Sequence, residues 1–164
     1  MPEVKQKRSA FRHYLNTTPN SQTATYSLIN KGVSSLVIDM GTETSSSQYI
    51  AEDTATTETT GFTGSISIEQ EMITGDAVFD YVEGLFETRA KLSDAHTELI
   101  NVKTWKPVEG ASGSYWAELQ PVSIALGEIG GDQPDTPHIS YTLNYRGDAT
   151  IGKFNVSAGT FTTV

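Results

Sequence analysis

The sequence predicts a mainly β protein, a β-sandwich or partly closed barrel of seven or eight strands with one packed α-helix. Apolar and polar residues alternate over residues 62–73 and 139–145, which is the period of half-buried strands. Only residues 74–92 place apolar side chains three and four positions apart, the period of a helix. The length of 164 residues fits a single domain, which at this size needs no disulfides, and the chain has no cysteine.

The helix is predicted from Ala77 to about Lys91. Asp76 follows a Thr-Gly break and suits the N-cap position, where its carboxylate accepts hydrogen bonds from the free amides of the first turn. Apolar residues one and two turns apart then form a wide stripe: Val78, Val82 and Leu85. Such a stripe indicates a helix packed across one face of a sheet.

The remaining elements are predicted as strands separated by turns rich in glycine or proline. The predicted strands are residues 23–29, 33–40, 62–73, 99–105, 115–129, 139–145 and 151–156, with a β-prone end at 161–164. The alternation changes phase at Pro121, which predicts a bulge or bend because proline cannot donate to a strand ladder. Gly147 and Asp148 predict a hairpin that joins strands 139–145 and 151–156.

Residues 62–73 are the clearest strand, and they divide into an apolar face and a wet face. The apolar face holds Phe62, Gly64, Ile66, Ile68, Gln70 and Met72. The opposite face is polar and acidic and includes Ser65, Ser67, Glu69 and Glu71. The apolar face is expected to pack under the helix stripe.

Two segments fall outside this strand pattern. Residues 1–22 are interpreted as an N-terminal basic arm, ahead of a single domain at 23–164, and the arm contains Lys5, Lys7, Arg8 and Arg12. Residues 42–60 are interpreted as a long loop, since ten of the nineteen are Ser or Thr and four are acidic. Loops above about 12 to 15 residues in compact domains are usually functional or disordered.

The charge distribution separates this arm from the rest of the chain. The net charge is −9, but residues 39–98 hold thirteen acidic residues against Arg89 and Lys91. An acidic body is unsuited to gripping a phosphate backbone, because such binding uses Lys and Arg. The basic arm either pairs with the acidic body of a neighbouring copy or remains a solvated tail. No signal peptide and no membrane span are expected.

No catalytic, cofactor or metal site is predicted, and the protein is therefore expected not to be an enzyme. The absence of cysteine excludes thiol catalysis. None of the three histidines lies near a nucleophile in a strand-turn-helix setting; they are His13, His96 and His138. A group of four residues lacks the spacing of a calcium loop and is interpreted as a solvated acidic loop: Glu128, Asp132, Asp135 and His138.

Several short segments, taken in order, carry a family resemblance. They are QYIAE at 48–52, TGF at 60–62, GDAVFDY at 75–81, VSI at 122–124, the double glycine at 130–131, GDA at 147–149 and GKF at 152–154. In this order they resemble the tail tube (major tail) proteins of bacteriophages with long non-contractile tails, the siphophage type. The match covers about residues 24–156, and Ala77 departs from the proline usual at its position.

The resemblance implies the tail tube fold and hexameric rings that stack into a tube, through which genomic DNA passes without specific binding. It implies a place in the virion tail, with host cytoplasm before assembly, and contacts with tape measure, tail terminator and tail tip proteins. Lumen-facing candidates are then Ser65, Ser67, Glu69 and Glu71. Candidate assembly residues in the long loop are Glu43, Tyr49, Ile50, Glu52, Asp53 and Glu58.

An alternative function from another class is a carbohydrate-binding or adhesin-like β-sandwich. Its candidate sugar-stacking residues lie around a glycine loop: Trp105, Tyr115 and Trp116. Rings or tubes in negative-stain microscopy would favour the tail tube interpretation, whereas a monodisperse monomer with glycan retention would favour this alternative.

Overall fold

The computed structural model of the protein describes residues 2–164, and Met1, the first residue of the predicted arm, lies outside them. The strands are β1 Phe11–Asn16, β2 Tyr26–Leu28, β3 Ile38–Asp39, β4 Thr42–Ser47, β5 Thr56–Phe62, β6 Ser65–Glu71, β7 His96–Pro107, β8 Ser114–Gly130, β9 His138–Tyr145, β10 Thr150–Asn155 and β11 Thr160–Thr163. The helix α1 spans Ala77–Thr88, and 3-10 turns cover Arg8–Ala10 and Leu92–Ala95. The predicted mainly β fold with one α-helix is confirmed, and the sheet is not closed into a barrel.

Nine strands form one antiparallel sheet in the order β2-β1-β7-β8-β9-β6-β3, with β10 and β11 branching from β8. The branch exists because β8 is 17 residues long and changes partner along its length. In its first half Trp116 lies opposite Lys103 of β7 and Lys153 of β10. In its second half Ile124 lies opposite Leu143 of β9. β4 and β5 form a separate two-stranded hairpin.

The sheet separates two hydrophobic cores. The larger core lies between α1 and the strands β6, β8 and β9, and it buries Phe79, Val82 and Tyr141. The smaller core surrounds Phe154 of β10, whose ring lies 4.6 Å from that of Tyr14 between centroids. No helix within residues 2–164 is both long enough and apolar enough to cross a membrane.

The phase change at Pro121 comes from a change of core. Ala117 packs in the smaller core and Val122 in the larger one, so the two halves of β8 bury opposite faces. Pro121 itself lies opposite Glu98 in a register with β7 that runs unbroken from His96 to Lys103. The predicted bulge at Pro121 is therefore absent from this pairing.

Hydrogen bonds tie the start of α1 to the sheet. Asp76 caps the helix as predicted, because its Oδ2 accepts from the Phe79 amide at 3.1 Å. The same oxygen accepts from Gln70 Nε2 at 3.0 Å, and Tyr141 Oη donates to Gln70 Oε1 at 2.9 Å. These bonds satisfy the fully buried Gln70 amide on an otherwise apolar face. The helix ends at Thr88, before the predicted Lys91, because Arg89 adopts φ of 53°.

The N-terminal segment is only partly an arm. Residues 11–16 were expected to lie outside the core, but they form β1 between β2 and β7. Tyr14 and Leu15 are buried, so this part of the interpretation is wrong. The two residues enter different cores, and the segment therefore lacks the alternation by which a strand is recognised.

Three further details of the strand prediction are wrong. Phe62 ends β5 and is 61% exposed, so it does not face the core with Ile66. Residues 33–37 form no strand, and β3 is limited to Ile38–Asp39. β9 and β10 do not form a hairpin, because each pairs with β8. Which strands become neighbours is decided by pairing between segments distant in sequence. Turn residues such as Gly147 do not indicate which strands pair.

Candidate assembly surfaces

The predicted assembly loop at residues 42–60 is a β-hairpin. β4 and β5 pair in antiparallel register from Thr42 opposite Phe62 to Ser47 opposite Thr56. Every residue of the two strands is exposed except Gly61, which is half-buried. A two-stranded hairpin alone in water is at best marginally stable. This segment therefore has the structure of an element that a partner would order.

The hairpin is acidic and has an apolar tip. It carries four carboxylates and no Lys or Arg: Glu43, Glu52, Asp53 and Glu58. Tyr49 is 70% exposed and Ile50 is fully exposed. The tip is held by the Glu52 carboxylate, which accepts from the Tyr49 amide at 3.1 Å. An exposed apolar pair at the tip of an acidic hairpin is a surface suited to a basic and partly apolar partner.

The wet face of β6 has the predicted alternation. Ser67, Glu69 and Glu71 are exposed, Ser65 is half-buried, and the residues between them are buried. The polar surface continues onto β9, where Ser140 lies opposite Glu69. A cavity of about 540 Å³ at its end is lined by Glu69, Glu71, Asp132, Asp135 and His138 among others. Within the described residues no group of His, Asp and Glu is placed to hold a metal ion.

The backbone of β6 has an open edge. Its even-numbered residues bond to β9, so its odd-numbered residues direct their backbone groups to the other side. Ser65 meets β3 there, and the Glu71 amide donates to Gly32 O at 3.0 Å. Between these two contacts residues 33–37 run along the same side without forming a strand, so Ser67 and Glu69 have no strand partner there within the part of the chain that the structure describes. An open edge is a template for pairing with another chain.

A second open edge lies on the opposite side of the same strands. β8 pairs with β7 only as far as Ser123. Residues 124–130 therefore have no strand partner on the β7 side among residues 2–164, although the 3-10 turn Leu92–Ala95 approaches β8. β8, β9 and β6 thus form a three-stranded segment with one open edge on each side.

Arg8 anchors the N-terminal segment to the domain. Its Nη2 donates to Leu36 O at 3.1 Å and lies 3.1 Å from His13 Nε2. His13 Nδ1 donates to Asn101 Oδ1 at 2.7 Å, which leaves Nε2 as the acceptor for Arg8. Burial lowers the pKa of His13 to about 4, and the Arg8 charge acts in the same direction against the Asn101 hydrogen bond. His13 is therefore neutral at pH 7.

The four cations of the predicted arm therefore differ in whether contacts within the chain hold their side chains. Lys5 and Lys7 are exposed and precede the anchor. Arg8 is held by contacts within the chain, and Arg12 Nε donates to Ser9 O at 3.3 Å. The sequence could not distinguish them, because the partner of Arg8 is a backbone carbonyl 28 positions away.

The aromatic residues of the carbohydrate-binding alternative do not share a surface. Tyr115 packs against the smaller core, whereas its neighbour Trp116 points to the other face of β8. Trp105 packs edge-on against Phe11 at 5.7 Å between ring centroids. The three side chains form no common stacking platform, so no observation favours this alternative.

Solved structures with this fold include chains of tail particles. One is the tail of an empty gene transfer agent particle with C6 symmetry, at a TM-score of 0.63 and 14% identity over 89% of this chain and 98% of that chain. Another is the virion of a native gene transfer agent particle, at a TM-score of 0.61 and 12% identity over 90% and 98%. The chain has their fold. The baseplate of an anti-feeding prophage is more distant, with a TM-score of 0.44, 15% identity and coverage of 92% and 95%. No protein-family model and no curated protein matches the chain.

Proposed function

We propose that this chain is a structural tail protein without enzymatic activity, which assembles into hexameric rings that stack into the tail tube of a phage-like particle. The observation that carries the proposal is the fold similarity, which extends over 89% of this chain and 98% of a chain from a C6-symmetric tail. The virion tail is the proposed location, with host cytoplasm before assembly.

The two open edges support ring formation. A contact between the β6 edge of one copy and the β8 edge of the next joins two different surfaces, and such a heterologous contact closes into a ring when the rotation between copies closes. Main-chain hydrogen bonds at Ser67 and Glu69 would then continue the sheet from copy to copy. Six copies per ring is the proposed number, in keeping with the C6 symmetry of the similar tail.

The wet face of β6 supports a role as the channel wall. In a ring closed through β6 and β8, the sheet face opposite α1 carries Ser65, Ser67, Glu69 and Glu71. Carboxylates facing the lumen would repel phosphate, so that DNA passes without binding. The proposed partners are other copies of this chain and the tape measure, tail terminator and tail tip proteins.

Negative-stain electron microscopy of the purified full-length chain tests this function. We expect six-fold rings or tubes whose abundance rises with protein concentration, since assembly follows mass action. Sedimentation velocity on the same samples measures the fraction assembled. A monodisperse monomer at all concentrations, particularly one retained on a glycan array, would contradict the proposal and favour a carbohydrate-binding module.

Lys5 and Lys7 are the cations of the predicted arm that are exposed and available to contact a neighbouring copy. Lys5→Glu with Lys7→Glu is expected to lower the assembled fraction about two- to fivefold at low salt, because exposed charge pairs contribute about 0–1 kcal/mol each. The defect should largely disappear at 1 M salt, where the Debye length is about 3 Å. The measurement is sedimentation of the assembled fraction across a salt series.

The matched control for the arm is Lys31→Glu with Lys91→Glu, which changes the same net charge at two exposed positions outside the arm. The control should assemble like the unmodified chain. An equal defect in both variants would assign the effect to net charge and not to docking of the arm.

A further inference from the structure

A cavity of about 570 Å³ lies between the first half of β1 and the chain segment 28–36. β2 pairs with β1 only from Tyr14 to Asn16, and the Ile29 amide donates to His13 O at 2.8 Å. Before His13, the edge of β1 on this side has no strand partner among residues 2–164. The gap beside this edge is as large as the pockets that hold small organic molecules, which are about 300–1,000 Å³.

The cavity is positively charged, although the chain as a whole is acidic. Arg8 and Arg12 line it, and no Asp or Glu is among its lining residues in the described part of the chain. The whole chain has 20 acidic residues and 11 Lys or Arg, so a cavity with two arginines and no carboxylate is opposite in charge to its surroundings. A cavity of this charge is suited to an anion.

Arg8 is fixed in position by groups that do not neutralise its charge. Its guanidinium donates to the carbonyl oxygens of Phe11 and Leu36 and to His13 Nε2. The His13 ring is only 3% exposed and is neutral at pH 7, as its hydrogen bond to Asn101 and its lowered pKa indicate. A guanidinium has more donors than these three acceptors use. Because Arg8 is already ordered, little conformational entropy is lost when it binds an oxyanion.

Arg12 supplies the second guanidinium. Its Nε donates to Ser9 O at 3.3 Å, which leaves the donors of both Nη atoms for a ligand. Two exposed hydroxyl groups, those of Ser34 and Ser35, also line the cavity. Guanidinium groups bind phosphate and carboxylate oxygens through paired, charge-assisted hydrogen bonds. The polar part of the cavity therefore matches an oxyanion.

The remaining lining is apolar. Ile29 and Leu36 are buried beneath the cavity, whereas Leu28 is 37% exposed and Val33 is half-buried. Inorganic phosphate would leave this apolar surface in contact with water. Covering it with the apolar group of a larger ligand is favourable, because apolar surface is then removed from water.

We propose that the cavity binds a phosphate monoester with an apolar group, its phosphate between Arg8 and Arg12 and its apolar group against Leu28 and Val33. The three terminal oxygens of a phosphate accept from both guanidiniums at once, whereas the two oxygens of a carboxylate are matched by one guanidinium. The site is built within one copy of the chain. It goes beyond the proposed tail function and does not depend on ring formation.

Calorimetric titration of the full-length chain at low salt tests the site, with hexyl phosphate as the probe. We expect a dissociation constant on the order of 0.1–1 mM. Inorganic phosphate should bind about tenfold more weakly, because it lacks the apolar contacts. Hexanoate should also bind about tenfold more weakly, because it engages one guanidinium. Hexanol, which has no charge, should give no binding. In NMR spectra, hexyl phosphate should shift the backbone amides of Ser9 and residues 28–36.

Arg12→Gln is the variant that tests the residues, because Arg12 does not hold the N-terminal segment to the domain as Arg8 does. It should weaken hexyl phosphate binding about tenfold or more, since charge-assisted hydrogen bonds are lost. Arg12→Lys keeps the charge without the planar fork and should be intermediate. The matched control is Arg146→Gln, the same change at an exposed position outside the cavity, which should bind normally. Circular dichroism verifies that each variant is folded.

Three results would overturn the site. The first is no heat and no amide shift with hexyl phosphate at millimolar concentrations. The second is unchanged affinity in Arg12→Gln, or an equal loss in Arg146→Gln, which would assign binding to net charge. The third is hexanoate or inorganic phosphate binding as tightly as hexyl phosphate. Because the measurements are made on a single copy, failure of the site leaves the ring proposal intact, and a chain that forms no rings can still bind the probe.

Discussion

Removing the β4–β5 hairpin should leave a folded protein that no longer forms tubes. The change replaces residues 44–59 by an Asn-Gly turn, which is the preferred two-residue connection between antiparallel strands. Because the removed residues are all exposed, the free energy of unfolding should change by less than about 1 kcal/mol. Tube formation should be lost, since the apolar tip and three of the four carboxylates are gone. Urea denaturation and electron microscopy measure the two effects.

The control for this deletion is Ser45→Ala with Thr59→Ala, which keeps the length, charge and tip of the hairpin. It is expected to assemble normally. Tubes of normal yield from the shortened protein would contradict the assembly role. Loss of folding in the shortened protein would instead assign the hairpin to the domain itself, which its exposure argues against.

The local features of the fold could be predicted because they depend on residues close in sequence. Asp76 was identified as a cap from its position before an apolar stripe, and its hydrogen bond to the Phe79 amide confirms this. The alternation around Ile66 and Ile68 likewise identified β6, since one side of this strand is core and the other is solvent. In both cases the local pattern and the tertiary environment agree.

Strands that border two cores are harder to predict, because the local pattern and the tertiary environment disagree. In β1, Tyr14 enters one core and Leu15 the other, and β7 repeats this with Leu99 and Ile100. Consecutive buried residues remove the period of two on which strand prediction rests. β7 was still recognised from its apolar content, whereas β1 lies in a polar and basic segment and was assigned to the arm.

The candidate surfaces also differ in whether the local sequence pattern predicts them. The wet face of β6 could be predicted, because alternation alone assigns Ser67, Glu69 and Glu71 to one side. The hairpin was predicted as a loop, since strands exposed on both faces show no apolar alternation. The row of Lys103, Trp116 and Lys153 could not be predicted, because it depends on the register of three strands distant in sequence.

Reversing the charge of the wet face should slow DNA passage without preventing assembly. Glu69→Lys with Glu71→Lys changes two exposed side chains whose neighbours Ile68 and Gln70 remain buried, so the fold should persist. In the proposed ring these positions face the channel, and lysines there would bind the phosphates that the glutamates repel. Particles with the double change should form normal tails and release DNA on the order of tenfold more slowly at low salt.

The salt dependence distinguishes lumen charge from a structural defect. Phosphate contacts release counterions, so their affinity falls steeply as salt rises, and the delay in release should shrink accordingly. The matched control is Glu83→Lys with Glu87→Lys on α1, which adds the same positive charge on the opposite side of the sheet from the wet face. Its release rate should equal that of unmodified particles at every salt concentration. Normal release by the wet-face variant, or equal delays in the two variants, would place β6 away from the channel and transfer the lining to another face of the sheet.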